Sequence, residues 1–211
     1  MGLDLTTIGT YDGFFYGGYD EPRPGDELKA RNENQKLFYH RLGEPQSKDV
    51  LVHEDREHPM RMFSTEVTED EKAMFLSVTE GTHGNELYYR DPAAKDGAFR
   101  PLITGFEFDT VPIDIVGGLV MVMTNAGAPN YRVVLIDPTD PARDKWKTVI
   151  AEKPEVLISA NISAGSLFCS YLKDANSRIF QHRIDGPLIR EISLPALGTA
   201  GGFGGKRDEK V

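Results

Sequence analysis

Leu37-Phe38-Tyr39-His40-Arg41-Leu42 is a short, aromatic-rich strand pattern that returns three more times along the chain. The later copies are Leu87-Tyr88-Tyr89-Arg90-Asp91, Val133-Val134-Leu135-Ile136-Asp137 and Ile179-Phe180-Gln181-His182-Arg183-Ile184. Their first positions are 50, 46 and 46 residues apart, close to the ~40–50 residues that a β-propeller uses for one four-stranded blade. A β-prone stretch precedes each copy: Met74-Phe75-Leu76-Ser77-Val78, Leu119-Val120-Met121-Val122-Met123-Thr124 and Leu167-Phe168-Cys169-Ser170-Tyr171-Leu172. In the first unit it is Gly13-Phe14-Phe15-Tyr16, reached across a longer loop rich in charge, Pro and Gly.

Working outward, each copy is followed by a short edge strand: Val50-Leu51-Val52, Arg100-Pro101-Leu102-Ile103, Lys147-Thr148-Val149-Ile150 and Ile189-Arg190-Glu191-Ile192. Asp12-Gly13, Gly117-Gly118 and Asp185-Gly186-Pro187 punctuate the joins as turn residues. The pattern predicts an all-β chain of four antiparallel, four-stranded blades over residues 1–55, 56–105, 106–152 and 153–195. The innermost strands are expected at Met62–Thr68, Ile113–Val116 and Leu157–Ser163. Residues 196–211 read as the start of a fifth blade, with a strand over Thr199–Gly205. A blade is buried between two neighbours, so a fragment of this kind is expected to present an apolar face at each end.

Of 211 residues, 39% are hydrophobic and 27% charged, with 21 glycines and 13 prolines, which suits a globular domain with a substantial core. No apolar run approaches the ~18 residues that span a membrane. A net charge of −9, with Lys and Arg scattered among acids, argues against a nucleic-acid partner. The single Cys169 lies in an apolar strand and suits a reducing, cytoplasmic setting. Met1-Gly2-Leu3-Asp4-Leu5-Thr6 fits a myristoylation pattern and Asn161-Ile162-Ser163 a glycosylation sequon, and both read as coincidental.

Motifs for chemistry are nearly absent. Gly201-Gly202-Phe203-Gly204-Gly205 spaces its glycines like a nucleophile elbow but has Phe where a nucleophile would stand. No catalytic residue, cofactor site or metal site is therefore expected. His40 and His182 hold equivalent places in the repeat and read as outer-strand side chains rather than ligands. Asp4, Glu66 and Asp114 fall on expected inner strands, where they could converge as carboxylates of an axial glycosidase site. The competing reading is that such acids bond the backbone amides of turns.

From Tyr11 onward the sequence resembles the propeller domain of the prolyl oligopeptidases. The resemblance is carried by Asp12-Gly13-Phe14-Phe15-Tyr16, Asn34-Gln35-Lys36-Leu37-Phe38-Tyr39-His40-Arg41-Leu42-Gly43 and Pro45-Gln46-Ser47-Lys48-Asp49-Val50-Leu51-Val52. It continues in Glu66-Val67-Thr68-Glu69-Asp70, Leu76-Ser77-Val78-Thr79-Glu80-Gly81, Thr124-Asn125-Ala126-Gly127-Ala128-Pro129-Asn130-Tyr131-Arg132, Trp146-Lys147-Thr148-Val149-Ile150 and Gly201-Gly202-Phe203-Gly204-Gly205-Lys206-Arg207.

The resemblance implies part of a seven-bladed propeller whose axial tunnel filters short proline-containing peptides on their way to an α/β-hydrolase domain. That domain, a serine peptidase cleaving after proline, would be the partner of this chain and is not contained in it. Met62 matches a family methionine near the substrate pocket, while an inner-strand core Met is the competing reading. Thr79 stands where relatives often place an arginine, and Thr82 where some place a cysteine near the pocket. Losing the arginine removes a charged donor. A stand-alone propeller that binds other proteins remains the alternative function, with the axial glycosidase a further one.

Overall fold

A computed structural model describes residues 12–21, 24–25, 29, 31–91 and 97–209. The described residues are almost wholly β, and their helical structure is confined to two 3-10 turns, Gln46–Lys48 and Arg143–Lys145. Two compact units divide the chain, Met1–Glu107 and Phe108–Val211. Each holds two antiparallel sheets whose strands pair in chain order, the meander of a propeller blade.

In the first unit, sheet one comprises β1 (Gly13–Gly18), β2 (Lys36–Arg41) and β3 (Val50–Glu54). The innermost strand expected before β1 lies outside the described residues. Sheet two comprises β4 (Met62–Val67), β5 (Met74–Thr79), β6 (Glu86–Arg90) and β7 (Arg100–Ile103). In the second unit, sheet three comprises β8 (Thr110–Val116), β9 (Leu119–Thr124), β10 (Arg132–Ile136) and β11 (Lys147–Ile150). Sheet four comprises β12 (Val156–Ser163), β13 (Ser166–Lys173), β14 (Asn176–Arg183) and β15 (Leu188–Ile192).

The second strand of each complete blade is largely buried on both faces. Val120 to Thr124 of β9 and Ser166 to Tyr171 of β13 are all buried. Strands of this kind must be covered twice, so sheets stack. Between sheets one and two, Leu37, Phe63, Met74, Leu76 and Val78 form a core joined by Phe15, Val52 and Tyr88. Between sheets three and four, Met121, Met123, Val133 and Ile150 meet Leu157, Ile162, Leu167, Cys169 and Tyr171. Each such side chain contributes about 1.5–3 kcal/mol on burial. Burial also pushes the Cys169 thiol up to about 12.

The opposite face of sheet four mixes polar and apolar side chains. Cross-strand pairing puts Asn161, Ser163, Ser166, Phe168, Ser170, Ile179 and Gln181 on that face, and Phe168, Ser170, Ile179 and Gln181 are all under 10% exposed. Residues 198–209 run over it. The Ser177 amide donates to the Gly198 carbonyl at 2.9 Å, the Ala200 amide to Ser177 Oγ at 3.0 Å, and Phe203 stacks on Phe168 with centroids 6.5 Å apart. Thr199–Gly205 forms no strand, because this segment is held by isolated bonds and has no ladder partner among the described residues. On sheet one, Phe14, Tyr16, Phe38 and His40 share the face turned away from the core, and Phe14 remains about half exposed.

Two-residue hairpins join the strands of the second unit. Val116 pairs with Leu119 around Gly117-Gly118, and Lys173 pairs with Asn176 around Asp174-Ala175. All four loop residues have positive φ, as the twist-matched hairpin turn requires. Glycine meets that demand freely, whereas Ala175, at φ 60°, forces a Cβ into the left-handed region at about 1–2 kcal/mol. Ala175→Gly is therefore expected to stabilise the chain by roughly 0.5–1 kcal/mol after the unfolded-state entropy of glycine is subtracted. The urea midpoint should rise, and an unchanged or lower midpoint would contradict the turn assignment.

Candidate functional site

Met62 opens β4 and pairs directly with Thr79, the last residue of β5. Directly opposed residues on one face have Cβ atoms about 4.5–5.5 Å apart, so these two expected pocket residues are brought together. Met62 is 45% exposed, against 0% for Met74, and is not a core methionine. Ser64 with Ser77 and Glu66 with Phe75 continue the same face along the hairpin. Thr82 is exposed in the turn after β5.

Arg61, which the sequence reading did not single out, flanks this pair. Its Nη1 lies 3.1 Å from Asp55 Oδ2 and its Nε 4.0 Å from Glu80 Oε2, while the guanidinium sits 5.2 Å over the Phe106 ring. Asp55 also accepts the amides of Glu57 and His58 at 3.0 and 3.2 Å, and its Oδ2 is 2.8 Å from His58 Nδ1. A positive charge thus sits at the start of β4, supplied from position 61 and balanced by two carboxylates. The Asp55, His58, Arg61 spacing, which suits an Asx-type turn, was the available signal. Nearby, Glu86 accepts the Tyr88 hydroxyl at 2.8 Å and the Gly105 amide at 3.0 Å. Burial and that hydrogen bond push Tyr88 up to about 12.

The three acids considered as an axial site fare differently. Asp4 lies outside the described residues. Glu66, in the first unit, has its carboxyl raised by burial although its side chain keeps a path to solvent. Asp114, in the second unit, is 5% exposed and accepts the Ile115 amide at 2.8 Å and Arg207 Nε at 2.6 Å. Both outer-strand histidines are tied into turns. His40 Nδ1 lies 2.7 Å from Asp49 Oδ1, which also brings Asp49 to the Tyr16 hydroxyl, and His182 Nδ1 lies 2.8 Å from the Gly186 carbonyl.

Acid should act on this architecture in two steps. Burial lowers the pKa of His53, which packs edge-on to Phe63, and of His182. The folded chain then binds fewer protons than the unfolded one, so their contribution is complete above about 6.5 and lost as pH falls below it. For Asp55, burial raises the carboxyl, but the His58 imidazole and the Glu57 amide outweigh it and hold the net value below the usual range. That contribution is present above about 3.9 and lost as pH falls through the lowered folded value. Urea midpoints measured from pH 7.5 to 3 should fall from about pH 6.5, and His53→Phe should flatten the first descent. A curve flat down to pH 4.5 would refute the histidine assignment.

Residues 8–211 match the family model described as the prolyl oligopeptidase N-terminal β-propeller domain. The prolyl endopeptidase of Elizabethkingia miricola is 42% identical over 199 residues, covering 94% of this chain and 28% of that protein. The prolyl endopeptidase of Elizabethkingia meningoseptica is 38% identical over the same shares. A solved structure from an analysis of two prolyl endopeptidases superposes with a TM-score of 0.83 at 30% identity, over 95% of this chain and 29% of that one. Prolyl oligopeptidase B of Galerina marginata shares the fold, with a TM-score of 0.83 at 22% identity. The chain spans a little over a quarter of the length of these relatives. With the repeat, the four meandering sheets and a family match over nearly every residue in hand, this chain belongs to the prolyl oligopeptidase family, as a stretch of its N-terminal β-propeller.

Proposed function

We propose that this chain is the non-catalytic propeller portion of a prolyl oligopeptidase-like serine peptidase. It admits short proline-containing peptides to an α/β-hydrolase domain that would be its partner in the whole protein. The observation that carries this reading is the family match over residues 8–211. The exposed face bearing Met62 and Thr79, with Thr82 in the following turn, supports a contact role: a thioether adapts to apolar side chains and hydroxyls offer hydrogen bonds without fixed charge. A cytoplasmic setting accords with the lone, buried Cys169. The axial-glycosidase alternative is weakened because the Asp114 carboxylate is occupied by Arg207.

Acyl transfer needs a positioned nucleophile, base and oxyanion hole. The pure chain is expected to leave a proline-specific chromogenic peptide intact, and turnover blocked by a serine-directed inhibitor would overturn that expectation. The gate is tested by exchanging this chain for the matching segment of the Elizabethkingia miricola enzyme. The chimera should cleave short peptides in preference to long ones, and Met62→Ala within it should raise KM several-fold with kcat little changed. A folded, active chimera with no size preference, or one indifferent to Met62→Ala and Thr79→Ala, would sink the gating role.

A further inference from the structure

Taking Met62 and Thr79 as peptide contacts, we infer that Glu66 sets a charge preference on the same face. It selects peptides with a cationic side chain or terminal ammonium about four residues from the part seated on Met62. Alternate residues of a strand share a face, so Met62, Ser64 and Glu66 follow one another along β4, set against Thr79, Ser77 and Phe75 of β5. All three β4 side chains are exposed, whereas Phe63 between them is buried on the other face. The stripe passes from thioether to hydroxyl to carboxylate. From Met62 to Glu66 the strand rises about 13 Å, which an extended peptide covers in about four residues.

Glu66 stands apart from the acids around it. Of the other strand acids in the first unit, Glu54 pairs with Arg56, and Glu86 accepts the Tyr88 hydroxyl and the Gly105 amide. In the loops, Asp49 is held by Tyr16 and His40, and Asp55 by Arg61 and His58. Glu66 has no hydrogen bond or ion pair among the described residues, and burial alone raises its carboxyl. Packing strips part of its water and nothing in the chain restores the lost stabilisation. A carboxylate in that state gains more from an arriving cation than a fully hydrated one, because the surrounding protein screens the pair less than water does. Met62 and Ser64 carry no charge, so the electrostatic preference of the stripe falls to Glu66.

The test uses the chimera in which this chain replaces the matching segment of the Elizabethkingia miricola enzyme. A single lysine is moved one position at a time through a proline-containing peptide, with norleucine in the matched controls. At one position kcat/KM should favour lysine by about three- to tenfold, between the worth of an exposed ion pair and that of a desolvated one. Glu66→Gln should remove that preference and leave the norleucine peptides unchanged, which also shows that the variant is folded. Glu66→Lys should reverse it. Equilibrium binding of the same peptides, followed by fluorescence anisotropy, supplies the readout where turnover is slow. A flat lysine scan, or a preference that survives Glu66→Gln, would overturn the role of Glu66. Met62→Ala separates the two readings: a raised KM beside a flat scan removes Glu66 and leaves the contact face standing, whereas indifference to both substitutions removes both.

Discussion

A central strand buried on both faces cannot be satisfied within its own sheet, and this constraint organises the molecule. β9 and β13 are buried from both sides over five or six consecutive residues. A single antiparallel sheet offers each strand hydrogen-bonded neighbours but no cover above or below. Stacking a second sheet supplies one cover, which yields the cores around Leu76 and around Cys169. On sheet four residues 198–209 supply part of the second cover, with Phe203 laid on Phe168. Outer strands carry less of this burden: β15 is exposed over Leu188 to Glu191, and its charges are free to pair across strands, as Glu191 does with Arg178.

Much of this was legible in the residues because burial writes itself as composition. The β-prone runs at Met74, Leu119 and Leu167 were placed to within a residue or two, and the paired glycines at Gly117-Gly118 marked their hairpin. Strand β8 begins at Thr110 rather than at Ile113, the expected start. Pro112 disguised it. Proline removes a ladder donor, but β8 lies at the edge of its sheet, where that donor is dispensable. Four register shifts between the third and outer strands also left no trace in the residue pattern, since a bulge changes pairing without changing hydrophobicity.

Long-range polar contacts were the least readable. Arg61 looked like one more surface charge until Asp55, Glu80 and Phe106 were seen around it. Asp114 was read as a channel carboxylate or a turn acid, and its partner proved to be Arg207, in a segment taken for a strand. Such pairings depend on where the chain returns in space, which periodicity does not encode. Met62 and Thr79 were identified through family resemblance, and only the register of β4 against β5 showed that they are neighbours.

The burial of Cys169 makes the chain carry its own clock. A thiol raised to about 12 and screened from solvent has almost no thiolate at neutral pH, so alkylating reagents cannot touch it while sheets three and four remain packed. With 1 cysteine in the sequence, any label incorporated under native conditions counts a separation of that interface and nothing else. The chemistry that makes the residue inert in the folded chain therefore turns its modification rate into a direct reading of how often two stacked sheets part.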